Sequence, residues 1–208
     1  LLDQFAESGK PLFLSTGMCD LIDVQEAVAR CLARGNSQIA LLQCGAMYPL
    51  PPDHANLRVM DLFRDVFAAP VGFSDHSLGT HITLAAIARG ANVIEKHFTH
   101  NREAQGPDHF YALEPDELKQ LIGDARAVHA SLGAARKEML PSEREYGRRE
   151  GLYTGRNIAK GSVLVEADIE VRRPAIGLRA RHLEAAIGMH ATHSIPVGTP
   201  LTWDDLRP

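Results

Sequence analysis

An α/β domain of parallel strands followed by a small all-β domain is the fold class that the sequence predicts. Three observations predict it. Short continuous apolar runs alternate with amphipathic stretches from Lys10 to Leu132. The character then changes to a charge-rich segment, Ala134 to Arg149, carrying Pro141 and Gly147. From Leu152 to Leu206, short alternating segments are punctuated by Gly and Pro.

The elements follow in order. Pro11-Leu12-Phe13-Leu14-Ser15 reads as a buried strand, and Asp20 is placed to cap a helix whose apolar positions are Val24, Ala27, Val28, Cys31 and Leu32, stopped by Gly35. Gln38 to Leu42 is a second strand. A proline-rich loop leads to a helix from about Asn56 to Phe67, then to a strand at Pro70–Phe73 and a helix from Leu78 to Arg89 closed by Gly90. Asn92 to Phe98 is the fourth strand. Pro115 suits the first turn of a last helix, where Asp116 and Glu117 complement its dipole.

Four strand–helix units in a row are half of an eight-unit barrel, for which a complete domain needs about 250 residues. The open doubly wound sheet is the rival arrangement. The opening Leu1-Leu2-Asp3-Gln4-Phe5-Ala6 reads as mid-helix, with no initiator Met and no leader pattern, which agrees better with a half barrel whose first part precedes this sequence. The expected bounds are 1–133 for the α/β domain, 134–150 for a linker and 151–208 for the small domain. In the latter, Ile158-Ala159-Lys160-Gly161…Asp168-Ile169 and Ile195-Pro196-Val197-Gly198…Asp205-Leu206 share a layout that suggests an internal pseudo-repeat.

Composition narrows the function. The 208 residues are 45% hydrophobic and 23% charged, with 22 basic against 26 acidic side chains and no Lys/Arg run, so neither a nucleic-acid footprint nor a membrane span is expected. Cys19, Cys31 and Cys44 form no CxxC spacing, which points away from a disulfide framework or a thiolate zinc site and toward a reducing cytoplasm.

The polar residues of the first domain collect at the C-terminal ends of its strands, where barrel enzymes carry their chemistry. These are Ser15-Thr16-Gly17, Cys44 leading to Tyr48-Pro49, Ser74-Asp75-His76, and Glu95 with His97. His76 and His97, on consecutive strands, either converge on one divalent ion or each bond a neighbouring carboxylate, Asp75 or Glu95. Both readings stay open on pattern alone. Gly106-Pro107-Asp108-His109 either lays a carboxylate over the rim or is ordinary turn chemistry. Thr16 either meets a phosphate or belongs to a turn, and Tyr48 either orients substrate or packs on prolines. Arg172-Arg173 is either an anion clamp or a solvated pair. Cys44 lacks an evident base and reads as a core thiol, and Met47, Met60 and Met139 read as packing residues.

Taken together, Ser15-Thr16-Gly17-Met18, Tyr48-Pro49, Gly72-Phe73-Ser74-Asp75-His76, Glu95-Lys96-His97-Phe98-Thr99, Gly106-Pro107-Asp108-His109 and Leu113-Glu114-Pro115 resemble, in order, the N-acetylneuraminate (sialic acid) synthase family, which includes legionaminic and pseudaminic acid synthases and spore-coat polysaccharide synthases. Arg173-Pro174, Gly177, Ile187-Gly188 and Pro200-Leu201-Thr202-Trp203 resemble that family's SAF, or antifreeze-like, domain. The resemblance implies the C-terminal half of a TIM (β/α)8 barrel followed by a small, mostly-β SAF (β-clip) domain. It implies a cytoplasmic enzyme that condenses phosphoenolpyruvate with an N-acylated amino sugar, such as N-acetylmannosamine, to a nine-carbon 2-keto acid with release of phosphate.

The same resemblance implies a divalent metal, usually Mn with Mg or Co as substitutes, held by His76 and His97 and acting on the sugar aldehyde. Catalytic status falls to His76, His97 and Asp108. Substrate contacts fall to Thr16 and Ser74 for the phosphate, to Tyr48 and Asp108 for the sugar, and to Arg173, delivered by the SAF domain of the partner in a domain-exchanged homodimer. Two departures stand out: Cys44-Gly45-Ala46 where relatives usually carry Cys-Thr-Ser or Cys-Thr-Asn, and Ala175 where a glycine often follows Arg-Pro. The family's phosphate lysines belong to the first half of the barrel, so this chain alone is expected to be inactive, with exposed sheet edges. The alternatives are another metal-dependent aldolase-like barrel, or a non-catalytic carbohydrate- or surface-binding module.

Overall fold

The computed structural model describes residues 1–145 and 149–208 and divides into two compact units, Leu1–Ala134 and Ala135–Pro208. In the first unit, α1 (Leu2–Glu7), β1 (Leu12–Ser15), α2 (Leu21–Ala33), β2 (Ile39–Cys44), α3 (Val59–Val66), β3 (Val71–Asp75), α4 (His81–Ala88), β4 (Val93–Lys96) and α5 (Pro115–Ser131) alternate along the chain. The four strands form one parallel sheet in the order β1-β2-β3-β4, the connectivity of consecutive β/α units.

One face of this sheet is apolar. Leu41, Val71 and Phe73 pack there with Val24 and Cys31 of α2, Met60 and Phe63 of α3 and Ala86 of α4. Leu41, Val71 and Phe73 are fully buried, and each contributes about 1.5–3 kcal/mol by leaving water. Gly72 lies on the other face, where a Cβ would come within 2.3 Å of the Val93 carbonyl oxygen, so only glycine lets β3 and β4 approach.

Helix ends follow the expected chemistry. The Asp20 backbone N–H donates to Asp23 Oδ2 (2.7 Å) at the start of α2. At the start of α5, Pro115 occupies the first turn and the Glu114 N–H donates to Glu117 Oε2 (2.9 Å). Two helices begin later than the periodicity predicts. Asn56 adopts φ 46° after the single turn Pro52–His54, which postpones α3 to Val59. Gly79, at φ 69°, breaks the chain before α4 and delays its start from Leu78 to His81.

The second unit contains α6 (Pro141–Glu145), β5 (Gly151–Thr154), β6 (Ile169–Arg172), α7 (Leu183–Ala186), β7 (His190–Ala191) and β8 (Leu206–Arg207). The segment expected as a linker thus carries α6, and Gly147 lies outside the described residues. β5 pairs antiparallel with β6, and β7 with β8, around a core of Leu152, Ile158, Leu164, Leu178, Ile195, Leu201 and Leu206. The pseudo-repeat is visible in three dimensions. Gly161 and Gly198 both take positive φ (81° and 78°), and Ile158 and Ile195 bridge each other. Asp168 and Asp205 each accept a backbone N–H three residues back, from Val165 and Thr202, immediately before β6 and β8. Val163 bridges His190, and the Leu164 N–H donates to the Met189 carbonyl (2.8 Å).

Candidate active site

The register of β3 and β4 pairs Ser74 with Glu95 and Asp75 with Lys96. Side chains alternate between faces along a strand, so Ser74 and Glu95 share the face opposite the helices while Asp75 and Lys96 share the helix side. One residue further, His76 and His97 return to the Ser74–Glu95 face. Their ring centroids lie 5.2 Å apart with planes inclined at 76°.

This separation fits a shared ion. Two imidazoles binding one cation at about 2.1 Å hold their centroids about 4.5–5.5 Å apart. Hydrogen bonding also leaves the correct nitrogens free. His76 Nδ1 faces the Gly45 carbonyl at 2.9 Å, and because a carbonyl only accepts, this nitrogen carries the proton of the neutral ring and Nε2 carries the lone pair. His97 Nδ1 lies 3.1 Å from the Tyr111 hydroxyl and 3.9 Å from Asp108 Oδ2. Burial, followed by the Asp108 carboxylate, raises the Tyr111 phenol well above the ordinary tyrosine value. Each ring thus has Nδ1 engaged by the protein, and among the described residues no hydrogen bond occupies Nε2 of either. Among the described residues, no group of three or more His, Cys, Asp or Glu is arranged to hold a metal. A cation here would find two imidazoles as its nitrogen donors.

The competing reading, in which each histidine bonds its neighbouring carboxylate, is overturned. Asp75 faces the other side, where it accepts from Lys96 Nζ (3.0 Å), from the Ser77 N–H (2.8 Å) and from the Thr83 hydroxyl. Glu95 accepts from Ser74 Oγ (2.7 Å) and lies 3.5 Å from Ser15 Oγ. Burial pushes the Lys96 ammonium below its usual value, and Asp75 opposes that shift.

The other expected residues divide. Tyr48 stacks on the site, with its ring centroid 4.3 Å from His76 and 6.2 Å from His97, rather than only packing on prolines. Asp108 is exposed beside His97. Thr16 and Ser74, expected as phosphate contacts, both direct their hydroxyl protons to protein acceptors, the Leu42 carbonyl (2.9 Å) and Glu95. An incoming phosphate has to compete for them. Arg173 belongs to the second unit, exposed and 3.3 Å from Glu150, while Arg172 lies over the Tyr153 ring at 4.6 Å.

Burial raises the Cys44 thiol, which agrees with an inert thiol rather than a nucleophile. The glycine at 45 has a packing counterpart: a Cβ there would fall 2.5 Å from Leu50 Cδ1, in a buried leucine that would have to move. Met60 is fully buried, whereas Met47 is exposed with its sulfur 3.3 Å from His54 Nδ1. Tyr111 was not singled out by sequence reasoning, although it lies three residues after Asp108 in the same loop. A separate groove of about 660 Å³, between the start of α3 and the end of α4, is lined by Asp53, Asn56, Arg58 and Arg89 and contains none of the rim residues.

The first unit is thus a run of consecutive parallel β/α units with two neighbouring imidazoles at its strand ends. Residues 1–137 match the NeuB family and residues 149–207 the SAF domain, so the chain belongs to the NeuB family and carries a SAF domain. It is 39% identical over 195 residues to the N,N'-diacetyllegionaminic acid synthase of Campylobacter jejuni, covering 92% of this chain and 58% of that protein. The crystal structure of the spore coat polysaccharide biosynthesis protein SpsE from Bacillus subtilis superposes with a TM-score of 0.61 at 35% identity, covering all of this chain and 64% of that one. A truncated 3-deoxy-D-arabino-heptulosonate 7-phosphate synthase from Thermotoga maritima, at 23% identity and a TM-score of 0.54, shares the fold over 64% of this chain. The chain spans about three-fifths of the length of the curated relatives it matches. No helix among the described residues is long and apolar enough to cross a membrane.

Proposed function

We propose that this chain supplies the C-terminal half of a barrel synthase and its SAF domain, in an enzyme that joins phosphoenolpyruvate to an N-acylated amino sugar and releases phosphate. The observation that supports the reading is the proximity of the His76 and His97 rings, each with Nδ1 engaged by the protein. His76 and His97 would hold a divalent cation, Mn by family resemblance, which would supply Lewis acidity toward the sugar aldehyde. The protein's own part is positional. Gly45 fixes the His76 ring, and the Tyr111–Asp108 pair fixes that of His97. Tyr48 covers the His76 ring and excludes water from one side. Glu95, anchored by Ser74, offers a carboxylate to sugar hydroxyls on the exposed face. The relatives named as legionaminic, pseudaminic and sialic-acid-9-phosphate synthases support this substrate class without choosing among acylamino sugars.

In the complete protein, His76→Ala or His97→Ala is expected to lower phosphate release from phosphoenolpyruvate and N-acetylmannosamine by about 10³-fold or more, because Lewis-acid stabilisation worth several kcal/mol is lost. Release at the parent rate from either variant contradicts the reading. Arg173 enters through the family resemblance alone, as a substrate clamp in a domain-exchanged homodimer. Arg173→Ala is then expected to raise the sugar KM by about tenfold. Mixing it with an Asp108→Ala subunit should restore activity, and no restoration argues against exchange.

A further inference from the structure

The last register pair of β3 and β4 is Asp75 with Lys96, so His76 and His97 stand just beyond the final backbone ladder between these strands. What ties the strands there is a side-chain knot on the opposite face. Lys96 Nζ donates to Asp75 Oδ2 (3.0 Å) and to the Ser77 carbonyl (2.7 Å), so a single ammonium grips the residues on both sides of His76. Asp75 also accepts from the Ser77 N–H (2.8 Å) and the Thr83 hydroxyl, which anchors the knot to α4. The two charged side chains are 4% and 0% exposed. A buried ion pair of this kind gains little stability over an apolar replacement, because desolvating two charges offsets their attraction. Its cost calls for another return, and its position supplies one.

We propose that the buried Asp75–Lys96 pair, locked by Thr83, is a positioning element that sets the spacing of His76 and His97 and so the cation affinity of the site. It rests on the reading of these histidines as a shared cation site. Neither Asp75 nor Lys96 touches the ion; each precedes one of the two imidazoles in its strand and holds that strand's end in register with the other.

The test is Mn(II) binding to the complete protein, followed by the loss of the free-ion electron paramagnetic resonance signal, in the parent, His97→Ala and the double variant Asp75→Asn/Lys96→Met. The double variant removes the cross-strand tie without leaving a buried charge, and thermal unfolding reports whether it folds. A folded double variant is expected to bind Mn(II) about 10- to 100-fold more weakly, the usual effect of removing an outer support of a metal site. Parent affinity in that folded variant, with affinity lost in His97→Ala, overturns the positioning role alone. Parent affinity in His97→Ala removes the shared site and the proposal with it. Should the double variant not fold, Thr83→Val, which removes one donor from Asp75, carries the test: weakening by up to about 10-fold supports the proposal and parent affinity overturns it.

Discussion

The two faces at the ends of β3 and β4 use the same three-residue stretches, Ser74–His76 and Glu95–His97, for different purposes. On one side Ser74 and His76 are buried while Glu95 is exposed and His97 half-buried, so this face meets solvent through β4. On the other, Asp75 and Lys96 bury full charges against each other under α4. A displacement of one residue along the strand separates them. The lesson is that strand alternation lets a single short sequence carry both the reactive groups and the framework that holds them, each in its own dielectric environment.

Removing one charge from the closed face perturbs the protein most. Lys96→Met leaves Asp75 buried without its ammonium and is expected to destabilise the protein by about 3–5 kcal/mol in denaturant titration, whereas Asp75→Asn/Lys96→Met recovers most of that loss. Equal stability of the single variant and the parent contradicts a closed, dry pair. On the open face, Tyr111→Phe removes the oxygen that fixes His97 Nδ1 while keeping the ring, and Mn(II) affinity is expected to fall about tenfold with the unfolding midpoint nearly unchanged.

A third contrast is smaller. Asp168 in the second unit is another buried carboxylate, but its partner Arg156 has a side chain 66% exposed. Hydrogen bonding from Arg156 holds the Asp168 carboxyl below its ordinary value, against burial, with the Val165 N–H adding to the effect. A folded pKa below the unfolded one makes the contribution fully present above the unfolded value of about 3.9 and lost as pH falls through the lower folded value. Asp168→Asn is expected to cost about 1 kcal/mol at neutral pH and to flatten the acid decline. Hydrogen exchange at Leu164 and Ile158, whose amides bond Met189 and Ile195 within the unit, reads both.

Much of the first unit was legible because its strands are apolar runs between Gly and Pro breaks, and parallel order follows from the intervening helices. Helix starts were less so: the positive φ at Asn56 and Gly79 is a backbone property that hydrophobic period does not encode. The proximity of His76 and His97 was accessible from strand-end placement. The carboxylate alternative involving Asp75 was weaker than it looked, since residues adjacent in a strand face opposite ways, and alternation alone argues that Asp75 and His76 do not share a side. Tyr111 escaped because its contact depends on how the loop after β4 folds back through Thr99 and Leu113. No spacing rule reports that return. The departure at Gly45 acquired its meaning only with Leu50 in place.

A shared cation requires both imidazoles to present Nε2 to one point. Anomalous diffraction from crystals of the complete protein grown with Mn(II), recorded at the manganese edge, addresses it directly. A single anomalous peak within coordination distance of Nε2 of both His76 and His97 is the expected result. A bound Mn(II) peak elsewhere, with the two rings turned to separate protein partners, contradicts it.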